Sequence, residues 1–409
     1  IWQDGGPVAE LAAEHIDVLL TINGSPYEEG KTQIRLDLAR RRAAEVHAPM
    51  IYVNQVGGQD DLVFDGGTFV VDTDGTLLQR SPMFMEDLAY FTLDTDREHQ
   101  EVCEVAPRMD PDEEVYTACV LGLKDYMAKN GFTGVCLGLS GGIDSALVAA
   151  MAADAVGGGN VYGISMPSMY SSQGSKDDAA DLAANIGTHY DVQPIKPMYD
   201  AFQQQLALDG VSAENLQARI RGVIVMAYSN SKGVLALATG NKSELACGYS
   251  TIYGDAVGGY APIKDVFKTK VWQLARWRNS AAAAGMGVGG LHIVGNEAGD
   301  AGVQLPGGVM IPVNSITKAP SAELRPGQKD SDSLPQYELL DRVLEAYIEH
   351  AHGRADLLAD GFDDETVSTV IRLVDRAEWK RRQYPLGPKV SALAFGRDRR
   401  LPVTGAFRE

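Results

Sequence analysis

The residues of this chain best suited to chemistry lie in one short loop, Ser140-Gly141-Gly142-Ile143-Asp144-Ser145. Adjacent glycines let a backbone approach a ligand closely, and Ser140 and Ser145 supply hydroxyl donors. Asp144 adds a carboxylate where a magnesium ion can bridge to phosphate oxygens. An apolar run, 134–139, precedes the loop and an Ala-rich run follows it, so the pattern reads strand, loop, helix. The N-terminus of such a helix presents free N–H groups and the positive end of its dipole, which suits phosphate. The lysine that closes the common phosphate loop of kinases and GTPases is absent, so that reading is weak. A purely structural turn explains a lone Gly-Gly pair equally well, but not the whole hexapeptide in this setting.

The flanking pattern has to hold this loop. From residue 113 onward, helical stretches (113–130, 175–186, 199–206, 213–230) alternate with short apolar strands (134–139, 161–166, 189–192, 234–238). That alternation predicts an α/β fold with a doubly wound parallel sheet. Ligands of such sheets sit at the carboxyl ends of the strands, and both 138–145 and 239–244 directly follow strands. Residues 1–93 read differently: strands at 18–22 and 50–54 around a helix at 31–47, then a meander over 62–64, 68–72 and 76–80. The polar, acidic stretch 94–112 reads as a linker to a second domain at 113–409. The Ala/Gly-rich stretch near 280–310 reads as a flexible insertion or lid.

The bulk properties narrow the class. A length of 409 residues favours two domains. A formal net charge of -19 argues against general binding to nucleic acid or anionic membranes. Positive charge for an anionic substrate must therefore be local, and Lys380–Arg382 and Arg397–Arg400 are its two concentrations, each otherwise ordinary surface charge. No apolar run is long enough to span a bilayer, and the opening residues lack a signal-peptide pattern. Cys103, Cys119, Cys136 and Cys247 show no CxxC spacing, and His350 and His352 cannot share a helix face, so neither set predicts a metal site. The expectation is a cytoplasmic protein.

The hexapeptide resembles the loop of the ATP-pyrophosphatase group, which cleaves ATP between its α- and β-phosphates. Within that group the longer segments are similar to the glutamine-dependent NAD synthetases. They are 166–179, 214–222, 238–255 (ATGNKSELACGYSTIYGD), 258–279, 314–335 and 375–402. The resemblance implies ATP-dependent amidation of deamido-NAD to NAD through an adenylated carboxylate, releasing AMP and pyrophosphate. It implies ATP contacts at Gly138, Leu139, Ser140, Gly141, Gly142, Ile143, Asp144, Ser145 and Thr239. Asp144 and Glu244 are the implied magnesium ligands, and Asn215, Glu244 and Lys380 the implied deamido-NAD contacts. Asp144, Glu244 and Lys264 are the candidate catalytic residues, Lys264 and Lys268 being candidate phosphate clamps. A homo-oligomer built through the synthetase domain is also implied.

Residues 1–93 resemble the C-terminal part of a nitrilase-like glutaminase domain, through 1–7, 23–31 and 52–75. Ser25 and Lys31 are the implied glutamine contacts. The family's Glu-Lys-Cys triad would precede Ile1, and Cys103 has no matching flanks, so the expectation is a fragment or an upstream segment. Three other readings share parts of the pattern. A tRNA-thiolating enzyme is opposed by the acidic charge and unpaired cysteines. A nucleobase aminase shares the loop but not GNKSELACGYSTIYGD. A non-catalytic assembly subunit is opposed by intact Ser140, Asp144, Thr239 and Glu244.

Overall fold

The computed structural model describes residues 1–97, 99–283 and 310–405. Its N-terminal unit contains α1 (Gly6–Ala12), β1 (Leu19–Asn23), α2 (Lys31–Val46), β2 (Met50–Asn54), β3 (Val56–Gln59), β4 (Leu62–Asp65), β5 (Phe69–Val71) and β6 (Leu77–Arg80). A mixed sheet runs β1-β2-β5-β6, with β1 and β2 parallel and the other pairs antiparallel, while β3 and β4 form a separate hairpin. Alternation along the strands sends Leu19, Met50 and Tyr52 beneath α2, where they meet Ala39, Ala43 and Val46. The other face leaves Leu20 and Ile22 exposed. The expected linker is not wholly free: Cys103 and Ala106 donate to Leu78 and Arg80 carbonyls (2.7 and 2.9 Å), extending the sheet edge.

The second unit opens with α3 (Pro111–Asn130). Asp110 caps it by accepting from the Asp112 N–H at 2.8 Å, Pro111 fits the first turn, and left-handed Gly131 ends it. Then follow β7 (Val135–Gly138), α4 (Ile143–Val156), β8 (Val161–Ser165), α5 (Gln173–Asn185), β9 (His189–Val192), α6 (Lys196–Leu206), α7 (Gly210–Lys232) and β10 (Leu235–Ala236). These strands form the expected parallel sheet in the order β10-β7-β8-β9. Strand β10 is shorter than its apolar run: Leu237 still donates to Cys136 of β7 (2.9 Å) while the next residue, Ala238, donates to Tyr260 (2.9 Å). Helix α4 is buried on nearly every side, which explains its alanines. At its far end Asp154 is locked by Arg278 (2.7 Å) and the Tyr116 hydroxyl (2.6 Å).

The remaining elements are α8 (Lys242–Cys247), α9 (Lys268–Ala283), α10 (Val313–Thr317), α11 (Tyr337–Ile348), α12 (Arg354–Ala359), α13 (Asp364–Arg376) and α14 (Glu378–Arg381). Leu245, Leu340, Leu344, Val367 and Val370 give this helical group its own core. Helix α9 occupies the first residues of the stretch expected as an insertion, and residues 284–309 of that stretch lie outside the described residues.

The stretch Lys389–Ser391 joins the two units. Glu29 donates its N–H to Val390 (2.9 Å) and Lys389 donates to Asp61 (2.8 Å). On the other side Asp265 accepts from the backbone N–H groups of Val390 and Ser391, both at 2.9 Å. Fully buried Lys242 lies 3.0 Å from Asp265 and 2.6 Å from Glu349, so the stretch is also fastened beneath α8.

Candidate active site

Sheet order sets β7 beside β10, so the loops leaving both strands meet. In the first loop the Ser140 hydroxyl accepts from Gly142 N–H (3.1 Å) and lies 3.1 Å from the Ser145 hydroxyl, which donates to Gly142 oxygen (3.0 Å). Gly141 has φ 77°, and a Cβ there would lie 2.1 Å from the Ser175 oxygen; glycine is required on both counts. The loop therefore delivers Gly138–Ser145 to the N-terminus of α4 in one rigid turn.

Asp144, in the first turn of α4, faces the second loop. Its carboxylate accepts from the Asn241 side-chain amide at 2.9 Å and from the Lys268 ammonium. Asn241 also caps α8: its Oδ1 accepts from Glu244 N–H (3.0 Å), and the Glu244 carboxylate accepts from Asn241 N–H (3.3 Å). This capping box fixes Glu244 beside Asp144, with Lys268 3.9 Å from Glu244. Asp330, held by the hydroxyls of Tyr337 (3.0 Å) and Tyr249 (3.4 Å), lies near enough to act on Glu244 and Lys268 by its charge.

Asp144 and Glu244 thus share one ammonium, and the Asp330 carboxyl acts on the same lysine through its charge. Burial, then the charge of Asp144, raises the pKa of Glu244 well above the carboxylate range. Burial raises Asp330 as well. For Lys268 burial works against the charge, yet Asp144 and Glu244 outweigh it and raise its pKa. The raised Glu244 and Asp330 show that the group resists a further negative charge on its own, and a hard divalent cation held by the Asp144 and Glu244 oxygens would relieve that strain.

The other expected contacts gather on the turn after α8. Asn215 accepts from the Thr251 hydroxyl at 2.7 Å, and Lys380 donates to the Gly248 and Ser250 carbonyls at 2.6 and 2.7 Å. Burial lowers the Lys380 pKa. Thr239 is half-buried between β10 and the Asn241 cap. In the N-terminal unit, Ser25 and Lys31 line one open cavity of about 350 Å³ with Trp2, Asn23, Gly24 and Pro26. The Ser25 hydroxyl accepts from Arg35 Nε (3.1 Å), and Arg35 pairs with buried Asp65 at 2.6 Å. The Lys31 ammonium lies 5.8 Å from the Trp2 ring centroid.

Lys264 lies apart from the other candidate catalytic residues. It does not join the carboxylate group: its ammonium donates to the Pro385 carbonyl (2.8 Å) and faces a separate cavity. Only at Lys268 does α9 begin, and the turn before it sends the two lysines to different sides. Asn241, Asp330 and Tyr337 were not singled out from the sequence. Asn241 had a readable signal, since Asn-Lys-Ser-Glu is a capping-box pattern; Asp330 and Tyr337 arrive from distant chain and had none.

With this geometry in view, comparisons with known proteins identify the lineage. A model of the NAD synthase family matches residues 115–384, and a model of the carbon-nitrogen hydrolase family matches residues 1–100. The chain is 44% identical over 407 residues to the glutamine-dependent NAD(+) synthetase of Acinetobacter baylyi, covering 98% of this chain and 71% of that one. It belongs to the glutamine-dependent NAD(+) synthetase family. The family's member from Rhodobacter capsulatus is 46% identical over 408 residues, again covering 98% and 71%. A solved synthetase of this family, from Acinetobacter baumannii in complex with ADP, aligns at 43% identity and TM-score 0.69, covering 97% of this chain and 69% of that one. The synthetase of Cytophaga hutchinsonii, at 21% identity and TM-score 0.75, shares the fold over 97% of this chain and 70% of that one. Membership supports the NAD synthetase reading over the tRNA-thiolating and nucleobase-aminating ones.

Proposed function

We propose that the loop Gly138–Ser145 and the group Asp144, Glu244 and Lys268 form the ATP-cleaving centre of this enzyme, a glutamine-hydrolysing NAD(+) synthase. The reaction is ATP-dependent amidation of deamido-NAD. A carboxylate oxygen of deamido-NAD attacks the α-phosphorus and the bond to the β-phosphate breaks, releasing pyrophosphate. Ammonia then attacks the acyl carbon, the acyl–oxygen bond to AMP breaks, and the nitrogen loses a proton to leave the amide. The observation that carries this reading is the grip on Asp144 by Asn241 and Lys268 directly at the mouth of the glycine-rich loop.

Each part of the chain has a task in this scheme. The α4 N-terminus and the loop N–H groups hold the phosphates, and Ser140 and Ser145 keep the loop's shape. Asp144 and Glu244 would hold magnesium, which supplies screening of the phosphate charge when bound. Lys268 keeps those two carboxylates together and offers positive charge to a departing phosphate. Thr239 contacts ATP, while Asn215, Glu244 and Lys380 hold deamido-NAD beside the turn after α8. Neither substrate requires a covalent enzyme nucleophile here, so positioning and electrostatics carry the acceleration. Ser25 and Lys31 receive glutamine in the cavity of the N-terminal unit.

A cytoplasmic homo-oligomer joined through the synthetase unit completes the proposal. Exposed Met198, Phe202, Leu206 and Val211 on α6 and α7 offer apolar surface for that contact. No described helix is long and apolar enough to cross a membrane. The direct test is a product assay with ATP, magnesium, deamido-NAD and ammonium chloride, following NAD and AMP together. Equal yields of both are expected; folded protein that makes neither sinks the assignment.

A further inference from the structure

Lys264 faces a cavity of about 280 Å³ at the seam between the two units, remote in its contacts from Asp144. Five cationic side chains line it: Lys264, Arg381, Arg382, Lys389 and Arg400. Most of the charge around it is already matched. Lys389 pairs with Asp398 at 2.8 Å, and Arg381 and Arg382 share the single carboxylate of Glu378 at 2.9 and 2.6 Å. The two carboxylates in the lining are engaged as well, Asp61 by Arg397 at 2.7 Å and Asp265 by Lys242 at 3.0 Å.

What remains is positive. Lys264 has one carbonyl partner and no carboxylate within ion-pair distance among the described residues. The Arg400 Nε donates to the Gly396 carbonyl, leaving its two terminal NH2 groups without a described protein partner. One of the two arginines on Glu378 is also in surplus. Because Lys242 is shared between Asp265 and Glu349, the seven cations in and around the lining face five carboxylates, and two positive charges remain in surplus around one small cavity in a chain of net charge -19. Such an unmatched cluster in a concave site focuses field and collects an oxyanion. The volume is below the roughly 300–1,000 Å³ of pockets that take drug-sized ligands, so it suits an anion without a nucleoside.

We infer that this cavity is a second anion site, separate from the glycine-rich loop, which binds a small multivalent phosphate oxyanion between Lys264 and Arg400. The shared chemistry belongs to both orthophosphate and pyrophosphate. Burial lowers the Lys264 pKa, and a bound anion opposes that shift, so occupancy stabilises the charged lysine. The site also has a route to the reaction centre. Tyr384 lines the cavity, and its ring packs so tightly on Gly240 that a Cβ there would fall 1.8 Å from the hydroxyl. Gly240 immediately precedes the Asn241 cap that holds Asp144 and Glu244.

Calorimetric titration of the full chain with inorganic pyrophosphate and, separately, inorganic phosphate tests this, with EDTA present and no nucleotide. The unaltered chain should show a site that Lys264→Met and Arg400→Gln each weaken at least about tenfold, and that Lys268→Met leaves intact. Its affinity should fall as salt rises. The tighter of the two anions identifies the natural class. Titrations of both variants that match the unaltered chain overturn the site, as does an absence of binding by either anion. Should Lys264→Met fail to fold, Arg400→Gln decides alone, because Arg400 is exposed.

Discussion

The two proposed pockets hold charge in opposite ways. Around Asp144, two carboxylates share one lysine, with a third close enough to act by charge. Glu244 and Asp330 are pushed towards their protonated forms, so the group can hold its full negative charge only with an added cation. Around Ser25, the single buried carboxylate, Asp65, is matched by Arg35, whose guanidinium also donates to the Ser25 and Pro26 carbonyls at 2.8 and 2.7 Å. An unbalanced group is held ready for a cation and a polyanion that bring the missing charge. A balanced pair instead builds a fixed wall against which a neutral, zwitterionic molecule can be placed. The first region should therefore be sensitive in activity, and the second in stability.

The sharpest test of that contrast is Asp144→Ala, which should lower NAD formation by about 10³-fold with either nitrogen source while the unfolding temperature changes little. A variant that keeps most of its rate breaks the assignment. Next, Arg35→Met strands Asp65 in the interior and should cost about 3–5 kcal/mol in denaturant unfolding. Added magnesium should not restore it, whereas magnesium should recover part of any stability lost in Lys268→Met. Rescue of both variants, or of neither, erases the distinction between the regions.

A smaller effect concerns pH. Glu114, in the first turn of α3, is pushed up to about 7 by burial and then by the Asp65 carboxyl. Its folded form holds a proton that the unfolded chain releases near 4.5, so its contribution to stability falls as pH rises from about 5 to 7. Allowing for partial exposure, the change is roughly 1–2 kcal/mol. Glu114→Gln should flatten the profile of unfolding temperature between pH 5 and 8; an unchanged slope shows that other raised carboxyls dominate. Smallest is Ser25→Ala, which removes one hydroxyl acceptor of Arg35. Measured in an enzyme that hydrolyses glutamine, it should weaken glutamine use about five- to tenfold and spare ammonia. Equal losses with both donors detach Ser25 from glutamine.

Local signals were the readable part of this molecule. The parallel sheet follows from strands and helices alternating at the right lengths, and the loop Ser140–Ser145 is contiguous, so its shape is written in neighbouring residues. The end of β10 was not readable, because Ala238 bonds to Tyr260, which comes from a distant segment. Nor was the choice between Lys264 and Lys268: spacing of four means a shared face only on a helix, and α9 starts at the second lysine. Asp330 and Tyr337 reach the site through packing of the helical group, for which no local pattern exists.

The stretch Lys389–Ser391 has one more consequence. Bonded to Glu29 and Asp61 on one side and Asp265 on the other, it stitches the two units together independently of the covalent connection at 94–112. A protease that nicks the exposed part of that connection should leave the pieces eluting together from a sizing column. Dissociation should come only when denaturant melts the C-terminal stitch, so that the nicked chain behaves as a non-covalent heterodimer of its own halves.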